Sequence, residues 1–198
     1  MLQYYPSRLL AQVVAPSVEP LVLADAKSYL RVDITDDDTF IAGLITAARA
    51  YGEEHTRRSF ITQTWKMAYD GCMLLSPYWR LPLTLRAPFI VRLPRGPVNS
   101  IASVTAYAQD GSSAVIDPGT YTMDAAQDAL IYYAPFVAQR VEIIYVAGYG
   151  AAGTNVPKPI CEGMLAHIGA MYDQRGDASL ELPLQSTALY APYRDMRL

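Results

Sequence analysis

Apolar residues recur at helical spacing near the start of the chain. Residues 23–30 have the composition of a short helix, and the Thr-Asp-Asp-Asp run at 35–38 offers an N-cap and acidic groups for a second helix. The apolar positions of that second helix fall on one face, as Phe40, Ile41, Leu44, Ile45, Ala48 and Tyr51. The pattern predicts helices within residues 21–59, the second ending near residues 57–59.

A period of two replaces the helical period in the middle of the chain. Gln63, Trp65, Met67 and Tyr69 alternate with Thr62, Thr64, Lys66 and Ala68, as expected for a strand. Further strands are predicted at residues 101–109, before an Asp-Gly turn signal, and at 121–123, 130–133 and 140–146. The strand at 140–146 has the strongest pattern and is expected to be central. Five prolines in residues 76–97 indicate loop or edge, because proline donates no ladder hydrogen bond.

Helical spacing returns after Pro157 and Pro159, which suit a first helical turn. Because helices bracket a β segment without βαβ alternation, the predicted class is α+β. We expect a helical core formed by N- and C-terminal helices, with an inserted antiparallel β region. The predicted divisions are an N-terminal arm (1–20), N-terminal helices (21–59), the β region (60–149), a C-terminal helix completing the helical core (150–176) and a C-terminal tail (177–198).

The composition, with few charged residues and many tyrosines, suggests a surface that is partly covered by other protein subunits. Charged residues make up 18% of the chain, against a usual value of about 25%, and there are 15 Tyr. Tyrosine favours protein interfaces, although a Tyr-rich core in a monomer explains the same composition. The net charge of −3 gives no reason to expect tight binding to nucleic acid, and the apolar run at 9–15 is too short to span a membrane.

The sequence contains no recognisable catalytic or metal-binding motif. His55, His167, Cys72 and Cys161 lack the spacing of metal ligands, and no nucleophile elbow, P-loop or dinucleotide fingerprint occurs. We therefore expect no cofactor, no metal and no enzymatic activity. Two other hypotheses stay open: a carbohydrate-type binding module that stacks its ligand on Trp65, Trp79, Tyr132 and Tyr133, and a hydrolase built from scattered Ser, His and Asp residues.

Six segments, in order, resemble the head–tail connector (adaptor) proteins of tailed phages, prophages and gene-transfer particles. They are residues 19–33, 41–49, 61–65, 147–150, 156–160 and 191–194. Members of the family usually place Thr and Glu where this chain has Val22 and Asp25, a pair that would form a capping box. The first helix must therefore be capped in another way.

The resemblance implies a structural role at the head–tail junction of a virion or virion-like particle that is assembled in the bacterial cytoplasm. It implies a homo-oligomeric ring of twelve subunits beneath the portal protein, which joins capsid to tail and meets a downstream tail-side protein. DNA would pass through the lumen without specific binding, and no membrane is involved. The C-terminal segment would reach the portal, so Tyr190, Pro192, Tyr193 and Arg194 are candidate portal contacts, unless they pack on their own domain.

Overall fold

A computed structural model describes residues 8–70, 89–132, 138–174 and 182–195. The chain divides into two compact units. The β unit is drawn from Met1–Ala15 and Gln63–Ala147, and the helical unit from Pro16–Thr62 and Gly148–Leu198. Helices and antiparallel sheets occupy separate parts of the chain, so the predicted α+β class is confirmed.

Two antiparallel sheets make up the described part of the β unit. Their strands are β1 (Arg8–Val14), β2 (Gln63–Asp70), β3 (Phe89–Arg92), β4 (Val98–Tyr107), β5 (Ser113–Val115), β6 (Tyr121–Asp124), β7 (Ala129–Tyr132) and β8 (Arg140–Ala147). The larger sheet has the order β1-β2-β8-β4-β5, and the smaller has the order β3-β7-β6. Each neighbouring pair is antiparallel.

Strand β8 lies between β2 and β4, so the prediction of a central strand at 140–146 is confirmed. Its Val141, Ile143 and Tyr145 side chains are buried and alternate with half-buried ones, as the period of two requires. They pack in one apolar core with Val91, Leu93 and Leu130, and other side chains of both sheets. The hydroxyl of Tyr145 donates a hydrogen bond to the Pro94 carbonyl at 2.8 Å.

Strand β1 falls within residues 1–20, where we expected an N-terminal arm. Residues 1–7 lie outside the described residues, and β1 pairs with β2 from Arg8↔Tyr69 to Val14↔Thr64. The pairing satisfies one row of backbone groups of β1, and Leu10 packs against the apolar core of the unit. Residues 8–14 are therefore an edge strand of the larger sheet.

The helical unit contains α1 (Leu23–Leu30), α2 (Asp38–Thr56), α3 (Lys158–Asp173) and α4 (Leu184–Tyr190). The apolar face predicted for α2 is buried at four positions, which pack with Ile160, Met164 and Ile168 of α3: Ile41, Leu44, Ile45 and Ala48. Phe40 and Tyr51, predicted on the same face, are exposed. Helix α2 ends at Thr56, and Arg57 turns the chain in the left-handed conformation (φ 56°). No helix in the ranges described above is long and apolar enough to cross a membrane.

Helices α1 and α2 both begin without a side-chain cap. Val22 precedes α1 without a side-chain hydrogen bond, in agreement with the missing capping box. Asp37 precedes α2, and its carboxylate accepts a hydrogen bond from the Tyr172 hydroxyl at 2.5 Å instead of capping the helix. The Lys27 ammonium lies 2.6 Å from the Asp38 carboxylate. The acidic residues of this run therefore connect α2 to α3 and α1.

Candidate functional site in the C-terminal segment

The C-terminal segment, defined here as residues 182–195, carries the four residues predicted to contact a portal. Tyr190 has no exposed surface, and its ring packs in the core of the helical unit beside His55 and Phe60, with centroids 6.0 and 6.2 Å away. Burial raises the pKa of the Tyr190 hydroxyl, which has no hydrogen-bond partner among the described residues. In this conformation Tyr190 anchors the segment and offers no surface to a partner.

Two helical glycines make the space that the Tyr190 ring occupies. A methyl group added at Gly163 in α3 would lie 2.6 Å from Cε1 of that ring, and one added at Gly52 in α2 would lie 3.1 Å from its hydroxyl. The Ser186 hydroxyl, also buried, donates to the Gly163 carbonyl at 2.8 Å. Helix α4 is therefore held against α3 by close backbone approach and by one buried hydrogen bond.

The other three candidates follow in a short 3-10 turn, Ala191–Tyr193, and its exit. Pro192 and Arg194 are exposed, whereas Tyr193 is half-buried and meets the Tyr149 ring edge-on at 6.5 Å. The Arg58 guanidinium donates to the Tyr193 carbonyl at 2.7 Å. The structure thus fixes the backbone of this turn while leaving two of its side chains at the surface.

The end of the segment also binds the C-terminal end of α2. The Asp195 amide donates to the Thr56 carbonyl at 2.9 Å, which satisfies one of the last carbonyls of the helix. Burial lowers the pKa of His55, and the positive charge of Arg194 lowers it further. Both effects favour the neutral form of the His55 imidazole.

His167 and Cys161 of the helical unit are core residues. His167 is buried, and burial lowers the pKa of its imidazole; the ring of Tyr51 lies edge-on to it at 5.3 Å. Burial raises the pKa of the Cys161 thiol. Across the described ranges no group of three or more His, Cys, Asp or Glu side chains could hold a metal ion.

A cleft at one end of the larger sheet is lined by Asp70, Tyr107, Arg140 and Glu142. The Arg140 guanidinium binds the Asp70 carboxylate through two hydrogen bonds, of 2.5 and 3.0 Å. The Tyr107 hydroxyl donates to the Glu142 carboxylate at 3.1 Å, and this hydrogen bond is the main cause of the raised pKa of Tyr107. The charges of Arg140 and Asp70 offset each other, and the hydrogen bond holds Tyr107 and Glu142 together.

The aromatic residues considered as a ligand platform do not form one in the described part of the β unit. Tyr132 is buried in the core, and Trp65 is half-buried with the Arg95 guanidinium 5.4 Å from its ring centre. Trp79 and Tyr133 lie outside the described residues. Burial of Tyr132 removes a face that a sugar would need, so the structure does not support the binding-module hypothesis.

Sequence reasoning missed a second surface, the exposed apolar side chains of β1. Leu9, Val13 and Val14 are 60%, 52% and 55% exposed. The available signal was a stretch of seven residues without Pro or Gly that ends in two β-branched valines. The apolar residues indicated packing, but the sequence before the first helix gave no sign of the strand with which they pair.

Comparison with known proteins gives one family and a set of related folds. The model of the phage gp6-like head–tail connector protein family matches residues 21–117. A chain in the neck of an empty gene transfer agent (GTA) particle, computed with C6 symmetry, is 20% identical, with a TM-score of 0.74; the alignment covers 96% of this chain and 97% of that one.

Two further structures give similar values. A chain in the virion of a native GTA particle is 19% identical with a TM-score of 0.75, and one in the neck of a native GTA particle, computed with C12 symmetry, is 19% identical with a TM-score of 0.73. Both alignments cover 96% of this chain and 97% of the other. Comparison with curated proteins gives no match. At these identities the structural matches show a shared fold.

Proposed function

We propose that the chain is a member of the phage gp6-like head–tail connector family and forms one subunit of a closed ring that joins a capsid to a tail. The family match carries the proposal. It spans α1 and α2 of the helical unit and strands β2 to β5 of the β unit. The neck chains of the GTA particles share the fold over nearly the whole length.

The proposed ring contains twelve copies. The similar neck chain computed with C12 symmetry supports this number. A ring closed by rotation needs two different lateral faces on every subunit. The low charge content, the 15 Tyr and exposed apolar side chains such as Leu9, Val115 and Tyr51 supply material for such faces.

The ring is proposed to bind the portal protein on one side and a tail-side protein on the other. Pro192, Tyr193 and Arg194 are the proposed portal contacts, and Tyr190 holds their backbone in place from the core. Exposure of Pro192 and Arg194, together with the fixed backbone of the turn, supports this assignment. A rigid turn loses less conformational entropy on binding than a mobile tail.

DNA is proposed to pass through the lumen without specific binding. The net charge of −3 supports this, because a strongly basic surface would bind the phosphates and slow passage. The proposed location is the head–tail junction of a virion or virion-like particle assembled in the bacterial cytoplasm. A structural role is sufficient for the chain there, and we propose no enzymatic activity.

Negative-stain electron microscopy of the chain mixed with portal rings of the same particle tests the proposal. The expected result is an added ring with twelve-fold symmetry on one end of the portal. Portal rings that stay bare in a molar excess of folded chain would contradict it. A variant with Pro192→Ala and Arg194→Ala, which keeps the buried Tyr190, is expected to leave the portal bare.

A further inference from the structure

The end of helix α2 lies beside the end of the C-terminal segment. The Asp195 amide donates a hydrogen bond to the Thr56 carbonyl at 2.9 Å. A second hydrogen bond joins the Arg58 guanidinium to the Tyr193 carbonyl at 2.7 Å. These two bonds hold the two stretches of backbone next to each other, although they are far apart in the sequence. An exposed side chain from either stretch therefore lies next to the turn that is proposed to contact the portal.

Each of the two stretches contributes one exposed arginine. Arg57 directly follows Thr56, and Arg194 directly precedes Asp195. In the part of the chain that the structure describes, neither of these two guanidinium groups has an ion-pair or hydrogen-bond partner. The charge of Arg194 also acts on His55, whose pKa is lowered first by burial and then by this charge. The fold thus places two exposed positive charges on adjacent stretches of chain.

The carboxylates closest to the two arginines in the sequence interact with other groups. Glu53 is buried and accepts hydrogen bonds from the Phe60 amide and the Arg49 guanidinium. Glu54 and Asp195 each have an interaction partner as well. Because the described carboxylates of these stretches are engaged in this way, the donors of the exposed arginine pair remain available to another molecule.

Two neighbouring guanidinium groups are suited to bind carboxylates. Each presents a rigid fork of N–H donors that binds a carboxylate through two parallel hydrogen bonds. The same geometry occurs within this chain, where the Arg140 guanidinium binds both oxygens of the Asp70 carboxylate. Arginine is also one of the residues most often responsible for binding energy at protein interfaces. The exposed arginine pair therefore fits a protein surface that carries Asp or Glu side chains.

The phosphates of DNA would fit the same donors but conflict with the proposed passage of DNA. A ring of twelve such pairs facing the lumen would hold the phosphate groups and slow the DNA. The arginine pair instead adjoins the turn that contains the exposed Pro192. Its position favours the protein that this turn is proposed to contact.

We infer that Arg57 is a further portal contact, and that Arg57 and Arg194 together bind carboxylate groups on the portal protein. The inference rests on the proposed ring function and deepens it, since it names the chemistry of the partner surface. It also extends the portal-binding surface from the C-terminal segment to the end of α2. Negative charge on the portal would speed the encounter of the two proteins and orient the subunit.

A pair of glycine variants tests the role of Arg57 against a matched control. Arg31 and Arg57 are both exposed, each ends a helix of the helical unit, and both have a left-handed backbone, with φ of 57° and 56°. Glycine suits that conformation, so Arg31→Gly and Arg57→Gly should both fold. Loss of a cation at a helix end is common to the two variants. They differ in that only Arg57 lies beside the C-terminal segment.

Biolayer interferometry on immobilised portal rings measures the effect. The concentration of chain needed for half-maximal binding is expected to rise at least about tenfold for Arg57→Gly and to stay unchanged for Arg31→Gly. Equal affinity of the two variants for the portal would overturn the inference. Circular dichroism of each variant checks that a loss of binding does not reflect unfolding.

The salt dependence of binding separates a charged contact from a structural role. Portal affinity of the unaltered chain should fall as NaCl rises from about 0.05 M to about 0.3 M, and the fall should be shallower for Arg57→Gly. Arg57→Lys keeps the charge without the fork of donors, so it should recover part of the affinity. A salt dependence as steep in Arg57→Gly as in the unaltered chain would contradict a contact between Arg57 and carboxylates.

Duplex DNA is the competing partner, and fluorescence anisotropy of a labelled duplex measures it. If Arg57→Gly keeps its affinity for the portal and binds the duplex more weakly than the unaltered chain, the arginine pair serves DNA and the inference is overturned. Binding of the duplex that does not differ between Arg57→Gly and the unaltered chain is the expected result.

The inference and the proposed function fail in distinguishable ways. If the unaltered chain adds no ring to the portal, the proposed function fails and the inference fails with it. If the unaltered chain forms the ring, the variant with Pro192→Ala and Arg194→Ala leaves the portal bare, and Arg57→Gly binds normally, then only the assignment of Arg57 is wrong. The ring function and the contact through the C-terminal turn would stand in that case.

Discussion

The sharpest prediction concerns two glycines with the same position in their helices and opposite surroundings. Gly43 is the sixth residue of α2, and a methyl group added there meets nothing within 4 Å. Gly163 is the sixth residue of α3, and the same methyl group would lie 2.6 Å from the Tyr190 ring. Replacing each by Ala should therefore change stability in opposite directions.

The magnitudes follow from helix propensity and packing. Alanine favours a helix interior over glycine by about 0.8–1 kcal/mol, so Gly43→Ala should raise the free energy of unfolding by about that amount. Gly163→Ala gains the same propensity but overpacks a buried ring, which costs about 1–3 kcal/mol or more. Because the Tyr190 ring is enclosed and cannot swing aside as a flexible chain end would, we expect a net loss of about 1–2 kcal/mol.

Urea unfolding followed by circular dichroism measures both effects. A double-mutant cycle supplies the control: in a Tyr190→Ala background the clash is removed, and Gly163→Ala should become stabilising by about 0.5–1 kcal/mol. Stabilisation by Gly163→Ala in the presence of Tyr190 would refute the close packing of α4 on α3. Destabilisation that persists in the Tyr190→Ala background would assign the cost to another neighbour.

Three further predictions concern buried polar groups. Tyr190→Phe should leave the free energy of unfolding unchanged or slightly higher, because the hydroxyl has no hydrogen-bond partner among the described residues; a loss above about 1 kcal/mol in urea unfolding would contradict this. Glu53→Ala should lower the free energy of unfolding by about 3 kcal/mol in the same assay. The Glu53 carboxylate accepts hydrogen bonds from the Phe60 amide at 2.7 Å and from the Arg49 guanidinium at 3.1 Å. The control Glu54→Ala, at an exposed position, should change the free energy of unfolding by at most about 0.5 kcal/mol. Burial holds the pKa of His167 below the ordinary 6.5, so the unfolded chain takes up the proton first and stability should fall as the pH drops below about 6.5. His167→Gln should reduce the change in the free energy of unfolding between about pH 7.5 and 5.5. An unchanged pH dependence would show that other groups cause the loss of stability.

Residues with a strong local period were predictable from sequence. The apolar face of α2 and the alternation in β8 each repeat over several turns or residues, so spacing predicted most of the burial, although Phe40 and Tyr51 of α2 are exposed. β1 was not predictable in the same way, since its identity as a strand depends on pairing with β2, which lies about fifty residues further along the chain. We expected an arm there because the sequence around residues 8–14 does not reveal their pairing with β2.

The candidate site stays a prediction. An aromatic and arginine cluster favours a contact segment, and Pro192 and Arg194 are exposed, as such a contact would require. Burial of Tyr190 could not be inferred from its neighbours in sequence. It depends on Gly52 and Gly163, which lie on two helices that come together only in the folded helical unit.

The mass of the complex between a portal ring and this chain tests the central claim most directly. Native mass spectrometry should show a gain of twelve copies of 21.8 kDa, about 262 kDa, with few intermediate numbers because a ring closes cooperatively. A portal ring whose mass does not change in an excess of the folded chain, or which gains isolated copies without closure, would contradict the account of the protein as a ring-forming connector.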